Sequence, residues 1–298
     1  MPRTPIVVIG RNGQLARELA DLVWANDVQA HFLGRGEIDL LDMKTASAQI
    51  SALRPAAIIN TAAYTAVDLA ESQPVMAALL NTDIPAALVR LAGRMGIPFL
   101  HFSTDYVFAG TADQPYREED ATLPASIYGQ SKLAGEKAIA ASDARAVVIR
   151  SAGIFGRHGQ NFLKSMIQRS SNPQPVDMVS DQVHTPTPAA ALAQLTQRIA
   201  LDLIGGRSLP ALLHLAGQPA TTWFDFTAEI FAQLHGSGQT SLPPLNRTTL
   251  ATLSRPAPRP RFSALDCALA ASLGYTAPDW QPALSALVQA LAQQRIAA

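Results

Sequence analysis

The sequence predicts an α/β protein, a doubly wound parallel sheet followed by a second, smaller α/β unit. Three observations carry this. Short apolar runs recur through the first 150 residues with amphipathic stretches between them. A glycine-bearing turn joins the first run to the first amphipathic stretch. The regular alternation then fades after Asn172.

Taken in order, the strands are expected at 6–9, 29–33, 56–60, 99–104 and 145–150. A strand covered on both faces reads as an unbroken apolar run, as Ile6-Val7-Val8-Ile9 does. Between the first two strands Leu15, Leu19, Leu22 and Val23 recur at three- and four-residue steps, the spacing of a crossover helix. Further helices are expected over 74–95, closed by Gly96 and Pro98, and over 128–141. Prolines at 173, 175, 186 and 188 interrupt the pattern, so the chain is divided into 1–172 and 173–298, with some later segments expected to return to the first sheet. Helices near 189–203, 222–234 and 281–294 complete the second unit, separated by a Pro-rich, low-charge stretch over 242–261.

With 298 residues, 48% of them hydrophobic and 15% charged, the chain has ample material for a core. Lys plus Arg equals Asp plus Glu at 23 each, and no basic run is present, so nucleic acid is not an expected partner. The apolar runs read as too short to span a bilayer, and no apolar leader precedes Ile6. The single cysteine, Cys267, forms no intramolecular disulfide and no Cys-based zinc site, which fits a reducing cytoplasm.

The turn Ile9-Gly10-Arg11-Asn12-Gly13-Gln14-Leu15-Ala16 follows the first strand directly and opens the first helix. Gly10 permits the tight turn, Gly13 lets the backbone approach a pyrophosphate, and small Ala16 allows helix and strand to pack closely. That is the arrangement of a Rossmann-type dinucleotide site. In an NAD site an acidic residue is expected about 20 residues past the glycines, to hold the ribose hydroxyls. Here the second strand ends in Phe32-Leu33-Gly34-Arg35-Gly36. A guanidinium at Arg35, assisted by Arg11, suits a 2′-phosphate, so NADPH is expected ahead of NADH. Asp39 and Leu40 are placed beside the adenine.

Tyr128-Gly129-Gln130-Ser131-Lys132 sets a phenol and an ammonium four residues apart on one helix face. A cation beside a phenol lowers its pKa, so this pair is expected to exchange a proton near neutrality. The fourth strand ends in Ser103-Thr104-Asp105, where open α/β sheets place their ligands. Thr104 is expected to join Tyr128 in donating to one substrate oxygen. His101 is read as a structural side chain, and the six scattered histidines show no metal-ligand spacing.

These motifs resemble the extended, sugar-nucleotide short-chain dehydrogenase/reductases, and within them the dTDP-4-dehydrorhamnose reductase family. The likeness runs nearly end to end, through Gly10 to Ala16, Asn60 to Asp68, Ser103 to Phe108, Tyr128 to Lys132, Asp181-Gln182, Pro186-Thr187, Thr222-Trp223, Arg259-Pro260, Ser263 and Leu265. It implies reduction of the 4-keto group of a dTDP-6-deoxy-4-ketohexose by NADPH or NADH, and a homodimer. By the same resemblance Tyr128 is the proton donor, Lys132 its partner on the nicotinamide ribose and Thr104 the hydroxyl that tunes the pair. It also puts Gly10, Arg11, Asn12, Gly13, Gln14 and Leu15 at the phosphates and Ala62, Ala63, Tyr64 and Thr65 beside the cofactor, with Asp105 on the substrate. The chain departs from the pattern at Ala16, His184 and Phe262, and at Gly153, where members commonly carry a Trp against the sugar. Phe155, Phe162 and His184 are the side chains that could fill the space left by that Trp. Two other readings suit the same residues: an NAD-dependent epimerase or dehydratase of this fold, and a regulatory subunit without catalysis.

Overall fold

The computed structural model describes residues 3–25 and 27–296. Strands β1 (Thr4–Ile9), β2 (Val28–Leu33), β3 (Ala57–Asn60), β4 (Phe99–Thr104) and β5 (Ala146–Ser151) lie where the apolar runs predict them. With Leu212–His214 they form a six-stranded parallel sheet, in the order Leu212–His214, β5, β4, β3, β1, β2. The order reverses between β1 and β3, so a crevice opens outside their carboxyl ends.

Each strand feeds two cores, because successive side chains point to opposite faces. Ile6, Val8, Ile59, Leu100 and Phe102 pack with Leu15 and Leu19 and with Leu192, Ile199 and Leu203. Val7, Ile9, Ile58, Phe99 and Val148 pack with Ile50, Ile84, Leu88 and Val89 on the other side. A third core of Phe155, Leu163, Phe226, Ile230, Trp280 and Leu284 belongs to the smaller unit.

After the proline-rich segment that follows Asn172 the chain returns to the sheet. The helix Ala189–Ile204 covers the sheet with Gln14–Asp21, and Leu212–His214 pairs with β5, so 189–216 return to the sheet. Conversely the helix Phe162–Arg169, before the division at 172, buries Leu163 and Ile167 in the smaller unit. Prolines mark breaks in local structure and carry no information about which core the next helix joins.

The stretch 74–95 differs from expectation twice. By length and composition it is long and apolar enough to cross a membrane, contrary to the reading of the runs as too short. Half of that stretch is buried, with Ile84, Leu88, Val89 and Leu91 in the sheet's second core. It is also interrupted by a π turn, Leu79–Asp83, between Pro74–Ala78 and Ile84–Met95. The turn aims Asn81 inward, where its Oδ1 accepts from Tyr64 N–H at 2.8 Å and its Nδ2 donates to Tyr64 O at 3.1 Å and Ser131 Oγ at 3.0 Å. Periodicity alone does not reveal such a turn, because the extra residue shifts the register by less than the width of an apolar stripe.

Candidate active site

At the crevice Gly10 adopts φ +109°, and a Cβ there would lie 2.5 Å from Thr61 Oγ1 and 2.9 Å from the Ala62 nitrogen. Only a bare backbone fits between β1 and β3 at this point. Thr61 seals the contact by donating from Oγ1 to Ile9 O at 2.7 Å. The helix Gln14–Asp21 starts after Gly13 with no side chain capping its first turn. Its free N–H groups and positive dipole end suit a pyrophosphate, so the cradle fits a dinucleotide. Arg11 and Asn12 are exposed, whereas Leu15 turns into the core and Gln14 accepts from Asn161 Nδ2 at 3.0 Å. For Leu15 only the backbone is left for a ligand.

The ribose end differs from expectation. Arg35 is exposed with no ion pair among the described residues, but Arg11 is paired with Glu37. Glu37 also accepts the Gly34 N–H at 2.9 Å, and this bond, then Arg11, holds its carboxyl below the usual range. Arg11 is therefore not free to assist Arg35. Asp39 accepts the Leu41 N–H at 2.9 Å, and Leu40 packs against the second core. Beyond β3, Ala62, Ala63 and Tyr64 line the crevice half-buried, with Thr65 exposed. Tyr64 donates from its hydroxyl to Gln73 Oε1 at 2.9 Å.

Tyr128 and Lys132 sit on the helix Ile127–Ala140, capped by Ser126 Oγ on the Gly129 N–H at 3.1 Å. Tyr128 is partly buried, with the Tyr106 ring edge-on at 5.9 Å. Its phenol is pushed up from the ordinary value by burial first, aided by Asp105 and Tyr106. The expected lowering by Lys132 is absent. Lys132 is buried, donates to Phe102 O at 2.5 Å and lies 3.4 Å from His101 Nε2. Burial brings Lys132 down to about 8, partly offset by Glu136. His101 stays neutral through burial and the nearby Lys132, with Asn60 Nδ2 3.0 Å from its Nδ1.

Thr104 is partnered within the protein. Its hydroxyl donates to Asp105 Oδ1 at 3.0 Å, while its oxygen accepts the Tyr106 N–H at 3.2 Å. Asp105 is 4% exposed, and burial pushes its carboxyl up to about 6 against hydrogen bonds from Ser263 and Thr104.

Gly153 adopts φ +52°, and a Cβ on it would lie 2.8 Å from His184 Nδ1. The imidazole of His184 is buried, stacked on Trp223 at 3.7 Å and 13°, and burial pushes it down to about 3. Of the three candidates it is the neighbour that closes the space beside Gly153; Phe155 and Phe162 turn to Phe226 in the third core. Gly153→Trp is accordingly expected to lower stability by about 1–3 kcal/mol through overpacking, beyond the cost of a left-handed backbone. Adding His184→Gly should recover part of that loss. Chemical denaturation of the single and double variants measures both, and equal midpoints for wild type and Gly153→Trp would contradict the packing argument.

Composition and spacing did not single out the groove beside this cluster. A cavity of about 430 Å³ is lined by Asp181, Leu250, Leu253, Arg255, Arg259 and Arg261 among others. Arg259 pairs with Asp68 at 2.9 Å and lies 5.9 Å over the Tyr106 ring. The available signal was three arginines in seven residues within the Pro-rich stretch. Glu18, Asp21 and His158 bring potential metal-ligand atoms within 4.8 Å of one another. Arg157 already sits on both carboxylates there, at 3.4 and 2.8 Å.

The family model described as RmlD substrate binding domain matches residues 4–293. This chain belongs to that family. A dTDP-4-dehydrorhamnose reductase of Sinorhizobium fredii is 35% identical over 96% of this chain and 97% of its own. The Escherichia coli protein of the same name is 33% identical, again over 96% and 97%. Among solved structures, the Bacillus anthracis dTDP-4-dehydrorhamnose reductase in complex with NADP superposes with TM-score 0.88 at 25% identity, covering 96% of this chain and 98% of that one. A Thermus thermophilus UDP-glucose 4-epimerase shares the fold at TM-score 0.78 and 17% identity, covering 96% and 98%.

Proposed function

We propose that this protein reduces the 4-keto group of a dTDP-6-deoxy-4-ketohexose with NADPH, converting dTDP-4-dehydro-L-rhamnose to dTDP-L-rhamnose. The observation that carries the reading is Tyr128, a phenol set with Lys132 on the helix Ile127–Ala140 beside the end of β4. A reductase needs a proton donor for the developing alkoxide, and a phenol can serve as that general acid. The reduced nicotinamide, when bound, supplies the hydride. Gly10, Gly13 and the backbone of Gln14 and Leu15 would hold its pyrophosphate, and Ala62 to Thr65 would flank it. The three-arginine groove suits the diphosphate of a nucleotide sugar by charge and by bidentate geometry. We assign the working form to a homodimer, as the family resemblance implies, and the reaction to a reducing cytoplasm, which the single cysteine fits. Loss of reduced-nicotinamide absorbance when purified protein is mixed with dTDP-4-keto-6-deoxy-L-mannose and NADPH tests the whole reading; no loss would refute it.

Cofactor preference follows from two arginines in different states. Arg35→Ala is expected to weaken NADPH about tenfold relative to NADH, since a charge-assisted contact is worth about 1.5–3 kcal/mol and is screened at an exposed site. Glu37→Gln should shift preference the other way by releasing Arg11 toward a 2′-phosphate. The ratio of kcat/KM for the two cofactors checks both, and an unchanged ratio in Arg35→Ala would place its guanidinium in solvent.

A further inference from the structure

We propose that Glu71 is a positioning residue for Tyr128: its side chain accepts the first N–H of the helix that carries the phenol and so fixes where that phenol stands; this rests on the reductase reading above. Glu71 Oε1 takes the Ile127 N–H at 2.8 Å, across 56 residues of chain. Only the fold makes the two neighbours.

The first N–H groups of a helix have no acceptor inside it, and helix ends fray where nothing holds them. The helix Ile127–Ala140 is held at two of these groups. Ser126 Oγ takes the Gly129 N–H at 3.1 Å from the adjoining residue, and Glu71 takes the Ile127 N–H from a distant one. Tyr128 stands between the two held residues, in the first turn. Lys132 stands a turn further in and has its own support, Phe102 O at 2.5 Å. The place of the phenol therefore depends on Glu71 more than that of the ammonium does. Misplacing a reacting group by about 1 Å can cost about a hundredfold in rate, so a small shift of this turn is felt in the chemistry.

Glu71 is itself anchored on both sides. It directly follows the short helix Val67–Ala70, whose Asp68 accepts the Ala257 N–H at 3.2 Å and pairs with Arg259 at 2.9 Å. Ala257 and Arg259 both line the arginine groove. Before the short helix, Asn81 clamps the Tyr64 backbone, accepting its N–H at 2.8 Å and donating to its carbonyl at 3.1 Å. The same Asn81 donates to Ser131 Oγ at 3.0 Å, on the helix of the phenol. Residues 64–71 thus form a strut between the groove and that helix, and Glu71 is its contact with the turn that holds Tyr128.

Glu71→Ala is expected to lower kcat for ketosugar reduction about tenfold, with KM for NADPH within about twofold of wild type, because Lys132 and the dinucleotide turn keep their own supports. Glu71→Gln, whose amide oxygen can still accept the Ile127 N–H, should recover most of that loss. Independently of turnover, hydrogen–deuterium exchange over 127–130 should quicken about tenfold in Glu71→Ala and return toward wild type in Glu71→Gln, with protection over 133–140 unchanged. A Glu71→Ala enzyme that keeps the wild-type kcat, or loses it while 127–130 exchange as in the wild type, overturns the assignment. So does a folded Glu71→Gln enzyme with normal protection over 127–130 and a kcat about tenfold down, since the hydrogen bond would then be present without its effect. A wild type that oxidises no NADPH with any 4-ketosugar overturns the reductase reading and the catalytic role of Glu71 with it, whereas the exchange rates still decide whether Glu71 holds the turn.

Discussion

Tyr128→Phe is expected to cut turnover by at least about a hundredfold while leaving cofactor affinity close to wild type. The substitution removes one oxygen and keeps the ring that packs edge-on against Tyr106. What goes is the hydroxyl assigned to protonate the substrate oxygen. The developing charge on the substrate oxygen would then have no proton to take, since the proton of Thr104 points to Asp105. Because the dinucleotide cradle lies on Gly10 and the first helix, titration of the variant with NADPH should give a near-normal dissociation constant. Turnover within a few-fold of wild type would remove Tyr128 from the chemistry.

Glu136→Ala should be the most destabilising single change on the helix that carries Tyr128. Glu136 clasps Arg150 in two bonds of 3.0 and 2.7 Å, with the two side chains only 8% and 4% exposed. Arg150 also lies 5.0 Å over the Phe108 ring and 3.4 Å from His214, which burial and Arg150 itself keep neutral, down to about 4. No other carboxylate is ion-paired with this guanidinium among the described residues. Removing one partner of a buried pair leaves the other charge uncompensated, at about 3–5 kcal/mol. That is a large part of the ~5–15 kcal/mol by which a folded domain is stable. Replacing both residues together, Glu136→Gln with Arg150→Met, should cost far less. Denaturant midpoints decide, and a loss under about 1 kcal/mol for Glu136→Ala would mean that Arg150 finds water instead.

The sheet was legible because its signal is local. Val, Ile and Leu in unbroken runs at regular spacing predict strands covered on both faces, and a glycine turn at the first junction marks the crevice. The same applies to Tyr128 and Lys132, whose four-residue spacing places them on one helix whatever surrounds it. Residues that act through distant partners were less legible. Glu37 escaped notice because it stands immediately after Gly36, just beyond the strand end in which an acidic residue was sought. The arginine groove was overlooked because prolines around Arg255, Arg259 and Arg261 read as a loop.

By itself, then, the sequence determined the parallel sheet, the dinucleotide turn, the family and the placing of Tyr128 and Lys132 on one helix, all properties of short segments and their order. Which core each later helix joins was decided only in three dimensions, because hydrophobic burial is non-directional and the 189–216 segment could cover either unit. The same holds for the direction of Lys132, which follows the Phe102 carbonyl, and for the proton of Thr104, which follows a buried carboxyl. The closing of the space beside Gly153 by His184 is the last such case. Its partner lies 31 residues away along the chain, and only dense packing brings the two side by side.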